Sequence, residues 1–156
     1  MKLNNLVIVW GNDGFNSLGL IRQIKDITSN ITLLINGKRT FLASISKYCT
    51  KTIVTKNTNE GLLYLMELKQ QEIKPVLIPS NDITAEVINN NQLILKNKYY
   101  IPYTNAEGSI SKYDNKLQMC DLAKKCGFIV PDFVAFNKMT QINSLKINYP
   151  VIIKPD

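Results

Sequence analysis

Apolar and polar positions alternate along the first hundred residues in blocks that predict strands and helices in turn. Short apolar runs of strand length are followed by polar turns, and then by stretches with apolar residues at helical spacing. The predicted strands are 6–10, 31–35, 52–55 and 75–79. The predicted helices between and after them are 16–27, 60–71 and 83–90.

This order predicts an α/β fold. Continuous apolar runs are typical of parallel strands that are covered on both faces, and the spacing suits βαβ units. We therefore expect a Rossmann-like, open and mostly parallel sheet with helices on both faces. Residues 99–102 form a candidate fifth strand, which we place at an edge because Pro102 is poorly tolerated in a central strand.

The pattern changes after residue 102. Residues 103–108 resemble a connection, and 111–126 are predicted to form one helix, in which Ser111 and Asp114 resemble a capping box. A short strand at 133–136, a helix at 138–146 and a buried strand at 149–156 follow. We expect one domain at 1–106 and an incomplete second one at 107–156. A new central strand needs neighbours on both sides, so we interpret the chain as the front part of a longer protein.

Composition narrows the possible functions. The formal charge is +7, but the lysines are scattered, which argues against a nucleic-acid partner and suits a solvated surface or an anionic small molecule. No segment approaches the length of a membrane span and none resembles a signal peptide, so we expect a cytoplasmic protein without a membrane partner. The chain has no histidine, and its three cysteines lack metal-like spacing, which argues against zinc sites and histidine-dependent nucleophiles within these residues.

Two polar turns follow predicted strands, at the sheet edge where open α/β folds bind ligands. The candidate substrate-binding residues are Gly11, Asn12, Gly14, Arg22, Ser80, Asn81 and Asp82. Each has a simpler explanation: a tight turn that requires glycine, a helix cap, or a surface charge. The glycine spacing matches neither G-x-G-x-x-G nor a P-loop, and the second strand ends in Asn36 rather than an acid. These features weaken the alternative of an NAD-dependent or nucleotide-sugar enzyme.

Two lysines are candidates for phosphate contacts. Lys116 falls in the first turn of its predicted helix, and Lys154 falls at the carboxyl end of the last predicted strand. From the residues around it alone, Lys116 is better explained as an exposed surface charge, whereas Lys154 is explained equally well as a solvated strand end and as a phosphate contact.

The second half resembles the entry to an ATP-grasp domain. The resemblance rests on Tyr113-Asp114-Asn115-Lys116, on the Gly127-to-Pro131 turn, and on Pro150-Val151-Ile152-Ile153-Lys154-Pro155. The first half resembles the domain that precedes ATP-grasp in carbamoyl-phosphate-synthase-like and D-aspartate-ligase-like carboxylate–amine ligases. Residues 19–22, 46–48 and 77–82 carry that similarity.

The resemblance implies that Lys116 and Lys154 contact ATP phosphates alongside magnesium, and that the first domain helps to bind the acceptor substrate. ATP would activate a carboxylate as an acyl phosphate for attack by an amine or similar nucleophile. The glycine-rich loop and magnesium ligands of the family are not among these residues, so we expect the fragment by itself to be inactive and assign it no catalytic or metal-ligating residue. Its last strand would allow pairing with a second copy. A stand-alone small-metabolite-binding or regulatory module is the alternative.

Overall fold

The computed structural model describes residues 4–102, 104–134 and 150–153. The chain divides into two compact units, Met1–Ile110 and Ser111–Asp156. Each unit is described by itself.

The first unit is built on a four-stranded parallel sheet. Its strands are β1 (Val7–Gly11), β2 (Ile31–Asn36), β3 (Lys51–Thr55) and β4 (Val76–Pro79), in the spatial order β3-β2-β1-β4. Its main helices are α1 (Phe15–Ile24), α2 (Thr58–Glu67), α3 (Asp82–Asn90) and α4 (Gln92–Lys98). The prediction of a Rossmann-like α/β fold with a parallel sheet is therefore confirmed.

Helices cover both faces of this sheet because both faces of the central strands are apolar. Trp10 packs on one face in a cluster that includes residues of α2, α3 and α4. Val9 points to the opposite face and packs in a second cluster with Ile21 of α1. Successive residues of β1 thus belong to different cores, as the two-residue period of a strand requires.

Two features of the first unit differ from the sequence prediction. Helix α4 was not predicted, because the asparagines at 89–91 indicate a turn, whereas Asn91 both ends α3 and begins α4. The fifth strand at 99–102 is reduced to a single parallel bridge between Val76 and Tyr100. Pro102 lacks the N–H that a longer ladder would use.

The second unit begins within a broken helix rather than the single helix predicted at 111–126. The structure has α5 (Ser109–Asp114) and α6 (Lys116–Lys125), separated by Asn115 in an extended conformation. The Asn115 side chain accepts hydrogen bonds from the N–H groups of Leu117 and Gln118, at 3.0 and 3.1 Å, and so caps α6. Ser111 lies inside α5, so the predicted capping box there is wrong.

Helix α6 ends where the helix predicted at 111–126 ends, and Gly127 follows its last residues. Gly127 has φ of 82°, and its N–H donates to the Lys124 carbonyl, while the Phe128 N–H donates to Ala123. This pattern is the Schellman motif, which satisfies the last carbonyls of a helix.

The predicted final strand is not found at its described residues. Residues 150–153 are irregular, and the side chains of Ile152 and Ile153 are 84% and 58% exposed. The part of this unit that the structure describes contains no strand to pair with them. Residues 135–149 and 154–156, which include the predicted helix at 138–146 and Lys154, lie outside the described residues.

Candidate functional site

The two candidate turns meet at the point where the strand order reverses. From β1 the chain moves to β2 and β3 on one side, and then crosses back to place β4 on the other side of β1. Ligands in open α/β sheets bind beyond the carboxyl ends of the strands at such a switch point. The Ser80 N–H donates to the Trp10 carbonyl at 2.8 Å, which fixes the turn after β4 against the end of β1.

Buried hydroxyl groups tie the two turns together. The Ser17 and Ser80 hydroxyl oxygens are 2.8 Å apart, and the Ser17 hydroxyl donates to the Asn12 carbonyl at 2.5 Å. The Thr84 hydroxyl donates to the Trp10 carbonyl at 3.0 Å. Ser17 and Thr84 were missed by sequence reasoning, although each lies in the first turn of the helix that follows a candidate turn. The base of the site is therefore a connected network rather than two independent loops.

Gly11 is required by the close approach of these turns. A Cβ atom at this position would lie 1.9 Å from Ser80 Oγ and 3.2 Å from Ser80 Cβ.

Gly14 is not required by a close approach of this kind. It is the N-cap residue of α1, its backbone is extended as any residue allows, and it has no side chain to cap the helix. The first turn of α1 itself contains no acidic residue.

The residues after Ser80 agree with the capping explanation. Asn81 Oδ1 accepts a hydrogen bond from the Thr84 N–H at 2.9 Å and caps α3. Asp82 is the first residue of α3 and is exposed, where its charge suits the helix dipole. The amide nitrogen of Asn81 lies 3.2 Å from the Cβ position of Gly11, so the cap also contributes to the meeting of the turns.

Arg22 is not brought to the two turns. It lies exposed in the last turn of α1, seven residues after Phe15, which corresponds to about 10 Å along the helix axis. There it lines a separate groove of about 710 Å³, together with side chains of α1 and of the loop after β2. Those other lining residues are Leu18, Lys25, Leu42, Ile45, Ser46, Lys47 and Tyr48.

Asp13 organises a third loop, which sequence reasoning missed. Its carboxylate is 3% exposed and accepts hydrogen bonds from the N–H groups of Thr40, Phe41, Ala43 and Ser44, at 2.6 to 3.0 Å. The Ser44 hydroxyl donates to the same carboxylate at 2.7 Å. An aspartate in a glycine-rich turn is common, and no local pattern indicates that its partners lie about thirty residues away.

Burial alone would raise the pKa of Asp13, but the hydrogen bonds outweigh it. Those from the Ser44 hydroxyl and N–H, and from the Ala43 and Phe41 N–H groups, hold the pKa of Asp13 at about 2. The carboxylate is therefore ionised at neutral pH, and the loop around residues 40–44 is fixed to the first turn.

The end of β2 is occupied by internal packing. Asn36 Oδ1 accepts hydrogen bonds from Trp10 Nε1 at 2.8 Å and from the Thr55 hydroxyl at 3.2 Å. Dinucleotide-binding folds place a ribose-binding acid near this point. The arrangement gives the dinucleotide alternative no support from this strand end.

Lys116 is the first residue of α6 in the second unit, because the helix predicted at 111–126 is broken at Asn115. Lys154 lies outside the described residues. Among the residues that the structure describes, no group of three or more His, Cys, Asp or Glu side chains could hold a metal ion. Within the same residues, every helix is too short or too polar to cross a membrane.

Comparisons with protein-family models, with curated proteins and with solved structures gave no match to this chain.

Proposed function

We propose that this chain is the amino-terminal part of a cytoplasmic, ATP-dependent ligase that joins a carboxylate to an amine or similar nucleophile. The observation that supports it best is the meeting of the Gly11–Gly14 and Ser80–Asp82 turns at the switch point between β1 and β4. In this proposal the first unit supplies acceptor-substrate contacts at these turns. The sequence resemblance of the second unit to the start of an ATP-grasp domain supplies the reaction class.

The roles of the lysines follow from that class. Lys116, at the start of α6, and Lys154 would contact ATP phosphates and offset negative charge on the transferred phosphoryl group. ATP and magnesium would supply that group, which converts the substrate carboxylate to an acyl phosphate; the nucleophile then displaces inorganic phosphate. Further ATP and magnesium contacts are proposed to come from residues beyond Asp156.

The proposal can be tested by sequencing the gene beyond the codon for Asp156. We expect the reading frame to continue after Asp156 with a glycine-rich loop and, roughly a hundred or more residues later, with paired acidic and amide residues for magnesium. The protein from the whole frame should release phosphate from ATP when a carboxylate and an amine are both present. Lys116→Gln should raise its KM for ATP several-fold, whereas Lys112→Gln, in α5, should leave it within twofold.

Isothermal titration of residues 1–156 with magnesium–ATP gives a second test. We expect no tight binding, because the fragment carries only two of the proposed ATP contacts. The other contacts are proposed to lie beyond Asp156. Tight binding to this fragment would contradict the division of the ATP site. A stop codon directly after Asp156 would contradict the ligase proposal itself.

A stand-alone small-metabolite-binding or regulatory module is the second candidate function. The first unit favours it, because it has its own sheet, two apolar clusters and a switch-point site. This candidate predicts metabolite binding by residues 1–156 without any nucleotide dependence. A metabolite affinity that rises on addition of magnesium–ATP would oppose it.

A further inference from the structure

The chain contains two arginines, and the structure gives them different settings. Arg22 lies exposed late in α1, as described above. Arg39 lies in the loop after β2, next to Thr40, whose N–H donates to Asp13 Oδ2 at 3.0 Å. The Thr40 hydroxyl also donates to the Asp13 carbonyl. The loop that carries Arg39 is thus fixed to the first turn of the candidate site, directly between Asn12 and Gly14.

The Arg39 guanidinium is held by two contacts. Its Nε–H donates to Ser44 Oγ at 2.9 Å, and the Ser44 hydroxyl in turn donates to Asp13. Its central carbon lies 4.7 Å from the centroid of the Phe41 ring. Because Nε is already bonded, the two terminal nitrogens form the pair that remains for a ligand, and the described residues provide them with no hydrogen-bond acceptor.

Phe41 carries backbone strain that the surrounding loop maintains. Its φ is 61°, a left-handed conformation that bulky residues rarely adopt, and its N–H is fixed by Asp13. The ring is nevertheless 60% exposed, and Phe15 at the start of α1 is 81% exposed. An exposed ring held in a strained conformation beside a positioned cation suggests a binding function, since such strain is typical of functional sites.

We propose that Arg39 is the anion-contact residue of the candidate site and binds the carboxylate of a small molecule end-on, with Phe41 beside it. This inference rests on the proposed function, because the acceptor site and the carboxylate chemistry are taken from it. Arginine suits this part better than the scattered lysines, since its planar terminal pair matches a carboxylate in two parallel hydrogen bonds. The Asp13 carboxylate acts as a positioning group that holds the loop.

An NMR titration of the ¹⁵N-labelled chain with sodium benzoate tests the proposal. Sodium acetate and inorganic phosphate serve as comparison ligands, all at an ionic strength matched with sodium chloride. We expect saturable shifts of the amides at 12–17 and 39–44 with benzoate and acetate. Arg39→Gln should weaken carboxylate binding at least tenfold, and Arg39→Lys about fivefold. Lys38→Gln removes the same charge from the neighbouring exposed residue and should change binding less than twofold.

The amides of Ala43 and Ser44 show whether the loop keeps its Asp13 contacts in each variant. An intact loop with unchanged carboxylate affinity in Arg39→Gln would overturn the proposal. It would also be overturned if Arg22→Gln removed binding instead, if phosphate bound while both carboxylates did not, or if no ligand gave saturable shifts. None of these results bears on magnesium–ATP turnover by the whole reading frame, so the ligase proposal stands or falls separately.

Discussion

The indole Nε1–H of Trp10 donates a 2.8 Å hydrogen bond to Oδ1 of Asn36, joining the ends of β1 and β2. Helix α2 packs closely against this pair, and the residue at the contact is Gly61. A Cβ atom on Gly61 would lie 2.7 Å from Asn36 Oδ1 and 2.9 Å from Trp10 Nε1. Gly61→Ala should therefore destabilise the protein by about 1–3 kcal/mol, as overpacked cores do. Urea unfolding followed by tryptophan fluorescence measures the change.

Gly19→Ala provides the matched control for this prediction. Gly19 is also in a helix, but nothing lies within 4 Å of the position that its Cβ would take. Alanine should stabilise the protein there by about 0.5–1 kcal/mol, because it restricts the unfolded chain and favours the helix. Equal effects of the two substitutions would show that the Trp10–Asn36 contact does not exclude a side chain at Gly61.

The meeting of the two candidate turns predicts strong coupling between Gly11 and Ser80. Gly11→Ala should cost about 1–3 kcal/mol, because its Cβ would overlap Ser80 Oγ at 1.9 Å. Ser80→Gly removes both Ser80 atoms that the new Cβ would meet. In the double variant Gly11→Ala should cost at least 1 kcal/mol less than it does alone.

A double-mutant cycle from urea unfolding measures this coupling. Additive costs for Gly11→Ala and Ser80→Gly would mean that the two turns are not in contact in solution. Gly37 is a suitable comparison position, since Gly37→Ala is strained by its φ of 82° but has no neighbour within 4 Å. Its cost should be additive with that of Ser80→Gly.

Local patterns predicted the sheet and both candidate turns, because parallel strands are apolar throughout and their ends carry polar residues. The same patterns missed Asp13 and Arg39. The hydrogen-bond partners of Asp13 lie about thirty residues away, and pairing over that distance leaves no local signal. Arg39 and its partner Ser44 lie five residues apart, in a loop that has no periodicity. Arg22 was proposed from sequence as part of a small-substrate site with the first turn, yet the rise of α1 carries it away. The terminal strand was predicted from its apolar run, whereas a strand forms only where a neighbour pairs with it.

The loop around residues 40–44 depends on both carboxylate oxygens of Asp13, because each oxygen accepts hydrogen bonds from two N–H groups. Asparagine has nearly the same shape, but its amide nitrogen would face two N–H donors in either orientation. Asp13→Asn should destabilise the protein by about 2–4 kcal/mol, since buried donors would lose their partners. Urea unfolding at pH 7 measures the cost. Asp121→Asn, at an exposed position of α6, should change stability by less than about 0.5 kcal/mol.

The same carboxylate predicts an acid-dependent loss of stability. The pKa of Asp13 is lowered from 3.8 to about 2 in the folded protein, so its contribution is present above pH 4 and is lost as pH falls toward 2. The lowering of the pKa from 3.8 to about 2 corresponds to about 2 kcal/mol of folding stability. Stability measured from pH 6 to pH 2 should fall more steeply in the native chain than in Asp13→Asn. Parallel curves for the two proteins would contradict the depressed pKa.

Tyr99 should make the stability of the protein fall as pH rises, whereas Asp13 makes it fall as pH is lowered. Its side chain is buried and its hydroxyl donates to the Leu65 carbonyl at 2.6 Å, linking the segment after α4 to α2. Burial, with a smaller contribution from Tyr64, raises the pKa of Tyr99 to about 12. Its contribution to stability is therefore present below pH 10 and is lost as pH rises toward 12. Tyr99→Phe should cost about 1 kcal/mol at pH 7 through the lost hydrogen bond, and should flatten the alkaline loss.

Urea unfolding between pH 8 and pH 12 checks the Tyr99 prediction. Tyr99→Phe should retain a smaller alkaline dependence, because burial also raises the pKa of Tyr64. Tyr100→Phe is the matched control, since the neighbouring ring is 59% exposed. If Tyr100→Phe flattened the curve and Tyr99→Phe did not, the buried hydroxyl would belong to the other tyrosine. The register of the bridge between Val76 and Tyr100 would then be shifted by one residue, because such a shift exchanges the buried and exposed side chains.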